Sequence, residues 1–453
     1  MRSFALALMF SAAIAAAAQQ KPILLHDAAI FDGTPGSQIR THVDVTLHKG
    51  YIESVKPAFK KDKDEPKNVD IIDCAGKTVI PGLISAHSHL GVLLDNATPS
   101  PDAYTRENVT AALNQFERYG VTTIVSLGVN RDLVYEIRDD QRKGKIGGAT
   151  LLTAGRGIGV PNGAPGLNVP ADQIYRPANA EEARKDVDEM ASHHVDLIKM
   201  WLDSGHGKIP PMDPAVYTAL IDEAHKRHLK VAAHVYTLAD AQSLVKANVD
   251  IFAHSVRDQA IDHAFAESLI DRKIWYIPTL ALDEAFYLYG AQPDVMHSNF
   301  FRQAAGQQLL AKLEAPDYAE KTLAAPQTEQ ARKDHEMAAK NFKTLYDAGA
   351  NIGFGTDSGA VPGRIPGFSE HRELEDLVAA GITPLQAITL ATGENGRLLH
   401  EIDSKLSVGL IKPGYSADLL ILSADPSIDV RNTRHIVSVY HHGALVPNTP
   451  PQD

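Results

Sequence analysis

Eight short apolar runs, each followed by a stretch of helical composition, set the tightest limit on what this chain can fold into. They span residues 79–87, 121–127, 149–154, 195–201, 229–234, 249–254, 274–279 and 350–355. Strands that alternate with helices predict a parallel sheet, because a parallel neighbour is reached only through a long crossover. Eight such units predict an α/β fold built as a closed (β/α)8 barrel of the TIM type. A doubly wound sheet is the alternative. The connection between the seventh and eighth runs is much the longest, and HSNFFRQAAGQQLLAKLEA and TEQARKDHEMAAKNFKTLYDAG within it have helical composition. It is expected to serve as a lid or pocket wall.

The ends of the chain read differently. PILLHDAAIFDG, HVDVTLHKGYIESV and VDIIDCAGKTVIPG near the start carry β-branched alternation broken by turns, and the texture returns in GLIKPGYSADLLILSADP and HIVSVYHHGALV. Both ends are therefore expected to pair in one small β-sandwich domain, with the barrel folding between them. The expected division is 1–18, 19–78 for the first part of the β-domain, 79–402 for the barrel and 403–453 for the second part. In residues 1–18, Arg2 precedes an apolar, small-residue stretch, and Ala16 and Ala18 stand at cleavage positions. A removed signal peptide and a secreted or periplasmic product are expected. A single membrane anchor is the alternative, disfavoured because the stretch is short for a bilayer and rich in Ala.

The formal net charge is -12 and the basic residues are scattered, which argues against a nucleic-acid footprint. Cys74 is the only cysteine, so neither an internal disulfide nor a thiolate metal cluster can form. Any metal must be held by His, carboxylate or a less usual donor. The expected partner is a small-molecule or short-peptide substrate, with no nucleic acid and no membrane span after signal removal; a homo-oligomer is expected.

His87 and His89 in AHSHL are two residues apart, so on an extended backbone both imidazoles point the same way and can grip one cation. Such a pair arises readily by chance in a chain with 20 histidines. Position lifts it. His234 closes LKVAAHV and His254 closes VDIFAHS, each at the C-terminal end of an expected barrel strand, where barrel active sites are built. Asp357 in IGFGTDSG follows the eighth strand. Taken singly, each histidine can be a core group bonded to backbone, and the Asp can be a helix N-cap. Lys199 sits inside the apolar run VDLIKMWL, where a charged amine needs a carboxylate or a lowered pKa. A neutral amine can also add carbon dioxide to give an anionic carbamate with two oxygens; a solvent-reaching or salt-bridged lysine is the alternative. Tyr236 shares a strand face with His234, and Arg156, Arg257 and Arg364 lie just past strands, where any of them can clamp a substrate carboxylate. Packing or surface placement is open for all four.

In order and context, VIPGLISAHSH, VDLIKMW, VAAHVYT, DIFAHS, GTDSGAVPG, HRELEDLVAAGITPLQAITLATGENGRLL and GLIKPGYSADLLIL resemble the amidohydrolase superfamily, in particular its imidazolonepropionase-like and Xaa-Pro dipeptidase-like branch. The resemblance implies that His87, His89 and Asp357 hold one metal, that His234 and His254 hold another, and that Lys199, N6-carboxylated, bridges them. It also implies that Tyr236 bonds the substrate carbonyl. Imidazole and oxygen donors suit two Zn²⁺ or similar divalent ions. Two such ions about 3.5–4 Å apart can share a hydroxide near neutral pH, with Asp357 as base and then acid. The expected activity is hydrolysis of an amide C–N bond, in a dipeptide or N-acyl amino acid. The alternatives are a one-metal hydrolase of a cyclic amide or lactone, with Lys199 unmodified, and a non-catalytic solute-binding protein; the latter should lack a ligand, and none is missing.

Overall fold

The computed structural model describes residues 21–60, 65–166, 169–204 and 207–450, so the expected signal peptide lies outside the described residues. Strands from both ends of the chain form one hydrogen-bonded sheet. Ile23–Ile30 pairs antiparallel with Arg40–His48, which continues to Tyr51–Pro57. On its other side Ile23–Ile30 runs parallel to Asp70–Asp73 with its first half and to Thr78–Pro81 with its second. Thr78–Pro81 then pairs antiparallel with Leu419–Leu422, followed by Ile436–His441 and Ala444–Leu445. Leu25, Val45, Ile52, Val79, Leu419 and Ile421 form the apolar cluster of this sheet.

The first apolar run, expected as one barrel strand over 79–87, is two strands. Thr78–Pro81 belongs to the terminal sheet and Leu83–Ser88 starts the α/β unit. Gly82 divides them: a Cβ there would lie 2.3 Å from Thr122 Oγ1, so only glycine lets the chain pass. Leu83–Ser88, Val121–Ser126 and Thr150–Thr153 make a parallel sheet of three strands. Ile198–Trp201, Val231–His234, Ile251–Phe252, Trp275–Tyr276 and Asn351–Ile352 make a parallel sheet of five. These are the eight strands expected, alternating with helices as in a TIM-type barrel. Their side chains are almost all buried, which explains why they read as continuous rather than alternating apolar runs.

Backbone hydrogen bonds bridge the two sheets at both seams. At one, Asp196 N–H donates to Thr153 O (3.0 Å) and Ile158 N–H to Lys199 O (2.8 Å). At the other, Ala86 N–H donates to Phe354 O (2.8 Å), Thr356 N–H to His87 O (3.0 Å) and His89 N–H to Ser358 O (2.7 Å). The long connection before the eighth strand is helical as expected, and its last helix, Pro326–Ala348, ends on Gly349 in the left-handed conformation.

Fully buried Asn395 staples the seam between first and eighth strands. Its Oδ1 accepts from Phe354 N–H (2.9 Å), and its Nδ2 donates to Ile84 O (2.7 Å) and Phe354 O (2.8 Å). Asn395→Ala removes all three bonds from a dry site and should cost about 2–4 kcal/mol, read from urea unfolding. A loss under about 1 kcal/mol would show that the seam stands without the staple.

Candidate metal centre

Each metal-ligand candidate sits in or just beyond the C-terminal end of a parallel strand. His87 is in Leu83–Ser88 and His89 follows it; Lys199 is in Ile198–Trp201; His234 ends Val231–His234; His254 and Asp357 lie just past the ends of theirs. The structure brings all six to one end of the strands. One ligand atom each from His87, His254 and Asp357 fall within 4.8 Å of one another. The ring centroids of His87 and His254 are 4.5 Å apart, those of His234 and His254 4.4 Å, and those of His87 and His89 5.5 Å.

Two glycines make this convergence possible. A Cβ on Gly355 would lie 2.7 Å from the backbone nitrogen of His87, and one on Gly359 would lie 2.2 Å from the carbonyl oxygen of His89. The GTDSG turn therefore lies flat against the AHSH strand. Asp357 takes a φ of 60° there, a left-handed conformation that Asp tolerates better than most side chains. Its Oδ1 stands 2.9 Å from His89 Nε2 and 3.1 Å from His87 Nε2, and its Oδ2 pairs with Arg364. The His87 contact is too far off line for a hydrogen bond, so both ring nitrogens of His87 lack one. Burial pushes the Asp357 carboxyl up, but Arg364 and the two imidazoles outweigh it and hold it well below the usual range.

Burial works the other way on the nitrogen bases. It lowers His87 to about 3, lowers His254 well below the usual imidazole value, and lowers His234. All three are thus neutral and can offer lone pairs near pH 7. Lys199 is fully buried and lowered to about 7 by burial. Its Nζ has no hydrogen-bond partner among the described residues and lies 5.1 Å from the centroid of the Trp201 ring. His254 Nδ1 is held by Thr279 Oγ1 (2.8 Å) and His89 Nδ1 by Gly128 O (3.2 Å), which leaves Nε2 of each to face the centre. Buried polar atoms without partners cost free energy. Both nitrogens of His87, Nδ1 of His234 and Nζ of Lys199 are such atoms. The donor set fits divalent cations, each of which would take one nitrogen from each ring that holds it.

Sequence reasoning passed over two carboxylates here. Asp203 Oδ2 lies 2.9 Å from His234 Nε2. Asp203 stands just past the fourth strand, so the criterion that selected Asp357 would also have selected it. Glu370, fully buried, accepts from Ser85 (3.1 Å), Thr356 (2.6 Å) and Ser358 (2.8 Å) and from Gly367 N–H (2.8 Å), bracing both halves of the seam from below. Its local pattern is only that of a capping residue at the start of the helix Phe368–Ala379, which gives no hint of the seam.

The substrate-side candidates already have partners. The Tyr236 hydroxyl donates to Asp334 (2.8 Å), Arg257 pairs with both oxygens of Asp283 (3.2 and 3.1 Å), and Arg364 pairs with Asp357. Arg156 pairs with Asp132. Tyr236, Arg257, Asp283 and Asp334 line a cleft of about 720 Å³. Phe286, Gln330 and other residues of the long connection complete it, so the connection does form a pocket wall.

Residues 78–446 match the amidohydrolase family. An uncharacterized protein of Mycobacterium tuberculosis (strain ATCC 25618 / H37Rv) is 28% identical over 369 residues, covering 78% of this chain and 80% of its own. Among solved structures, a candidate prolidase from Bifidobacterium longum superposes with a TM-score of 0.74 at 26% identity, covering 96% of both chains. A Xaa-Pro dipeptidase with methionine bound in its active site gives 0.73 at 22%, covering 94% of this chain and 99% of that one. The ochratoxinase of A. niger gives 0.70 at 19%, covering 94% and 95%. With this match across most of its length, and with the strand-end donors described above, the chain belongs to the amidohydrolase family and is a hydrolase acting on carbon–nitrogen bonds.

Proposed function

We propose that the protein is a binuclear metal-dependent amidohydrolase that cuts the amide C–N bond of a dipeptide or an N-acyl amino acid. The observation that carries this reading is Lys199: a fully buried amine without a hydrogen-bond partner among the described residues, lowered to about 7 by burial and felt electrostatically by His87, His234 and His254. A neutral Nζ could add carbon dioxide, forming an N–C bond and releasing a proton, and the resulting anionic carbamate would make Lys199 an oxygen donor for the bound cations beside the four histidines and Asp357. In this reading His87, His89 and Asp357 hold one ion and His234 and His254 the other, and the two sheets act as one closed (β/α)8 barrel.

Divalent cations bound there would supply Lewis acidity toward the substrate carbonyl and make water a better nucleophile near neutral pH. The chain's own groups do the rest. Asp357, kept ionised and oriented by Arg364, would take the proton of the attacking water and return it to the leaving nitrogen. Thr279 and the Gly128 carbonyl fix the rings of His254 and His89, so the donors need little reorganisation. The dipeptide class draws support from the likeness to the Bifidobacterium longum candidate prolidase and the Xaa-Pro dipeptidase. Export through residues 1–18 would suit peptide scavenging outside the cytoplasm.

A dipeptide and N-acyl amino acid library is the direct test, and turnover of at least one class is expected. On the best substrate, Asp357→Asn should lower kcat/KM by about 10²–10⁴-fold; a variant equal to the parent would sink the proton-transfer role. Chelated protein should lose activity and regain it with Zn²⁺, two ions of which should occupy this centre. Carbon-13 bicarbonate should give a carbamate resonance that Lys199→Ala abolishes. A single ion at this centre and no such resonance would overturn the binuclear reading.

A further inference from the structure

A second convergence of imidazoles and a carboxylate lies at the opposite end of the strands. Asp418 immediately precedes Leu419–Leu422, and His441 ends the neighbouring strand Ile436–His441. The turn His442–Gly443 that follows has φ of 48° and 72°, as a two-residue hairpin turn requires. Successive strand residues normally face opposite ways. The left-handed conformation of His442 instead lays its ring beside that of His441, with centroids 4.2 Å apart and planes 26° from parallel.

Both rings are held from behind. His441 Nδ1 faces Glu117 Oε1 (2.6 Å) and His442 Nδ1 faces Ser416 Oγ (3.0 Å). The two Nε2 atoms converge on one point, 3.0 and 3.2 Å from Thr150 Oγ1. A ring fixed through one nitrogen by a carboxylate or hydroxyl, with the other turned inward, is the arrangement of metal-ligating histidines. One ring nitrogen of each histidine and one oxygen of Asp418 lie within 4.8 Å of one another. Asp418 is the second indication. Its side chain is only 3% exposed; Oδ1 accepts from His442 N–H (2.7 Å) and lies 3.8 Å from His442 Nδ1, while Oδ2 is buried without a hydrogen-bond partner.

We infer that His441, His442 and Asp418 form a structural site for a divalent cation of the zinc class, separate from the catalytic centre. Two imidazole nitrogens and a carboxylate oxygen suit such an ion. Thr150, the first residue of the third barrel strand, either joins as a fourth donor or turns its hydroxyl aside. Glu117 and Thr150 both belong to the α/β unit, so an ion here orders the C-terminal hairpin against the base of the barrel. It would tie the last strands of the chain to a unit that begins far earlier in sequence.

The test uses the full chain, stripped with a chelator, reloaded with Zn²⁺, crystallised, and measured at the zinc absorption edge. An anomalous peak within bonding distance of His441, His442 and Asp418 is expected, and His442→Ala should lose it while retaining the catalytic peaks. In solution that variant should bind one equivalent fewer and keep its activity. The ring of His442 is exposed, so its removal leaves the packed core intact, and His442→Asn, which tolerates the left-handed backbone, serves as a second variant. Zinc at the catalytic centre with no peak at the hairpin overturns the inference, as does a peak that survives both variants. Zinc at the hairpin with an empty catalytic centre would refute the proposed function and leave this site standing.

Discussion

Contact between the GTDSG turn and the AHSH strand governs the rest of the site. The α-carbons of Gly355 and Gly359 approach the backbone of His87 and His89 too closely for any Cβ. That approach closes the first strand against the eighth, and puts Asp357 beside two imidazoles. Glu370 braces the contact through Ser85, Thr356 and Ser358, and Asn395 staples Ile84 to Phe354. A carboxylate at φ 60° is a local strain that the surrounding bonds over-determine. The same bonds that hold the strands together thus aim the ligand.

A second consequence is electrostatic. The fold takes three imidazoles and an amine out of water and leaves several of their nitrogens without hydrogen bonds. Burial resolves the charge problem by favouring neutral forms, and neutral forms are the ones with lone pairs to donate. It does not resolve the bonding problem. A cation that binds the folded state and not the unfolded chain satisfies these atoms and adds to stability by mass action. Metal loading at this centre would therefore be coupled to folding through the same buried donors.

The order and number of the strands were legible because parallel strands covered on both faces keep an apolar run wherever they occur. The start of the first strand was not. Residues 79–84 read as one unbroken apolar stretch, and only the crowding of Gly82 against Thr122 divides it between two sheets. The ligand candidates were legible for a related reason: a polar residue at the end of an apolar run marks the rim of the barrel. Asp203 satisfied that rule and was still missed, since its role depends on His234 in the next strand. Asp283 and Asp334 carry no local mark, and the capping box of Glu370 does not point to the seam. The partners that tie them to other parts of the fold lie between 12 and 285 residues away, and such distances are set by packing rather than by spacing.

Those distant partners bear on how a substrate would be chosen. Tyr236 and Arg257 project from the barrel, but Asp334 and Asp283, which engage them, belong to the long connection. Arg257 is 8% exposed, and its guanidinium lies 5.2 Å from the centroid of the Tyr236 ring, so the two groups form one unit at the mouth of the cleft. A substrate carboxylate entering there would exchange with Asp283 rather than meet a bare cation. Such an exchange swaps one desolvated ion pair for another and yields little net Coulombic energy. Discrimination then falls to what the exchange does to the wall: whether Asp283 and Asp334 find new partners, and whether Phe286 and Gln330 close on the rest of the substrate. In this reading the strand ends would carry the chemistry, and the connection between the seventh and eighth strands, which lines the cleft, would set the terms on which a substrate reaches it.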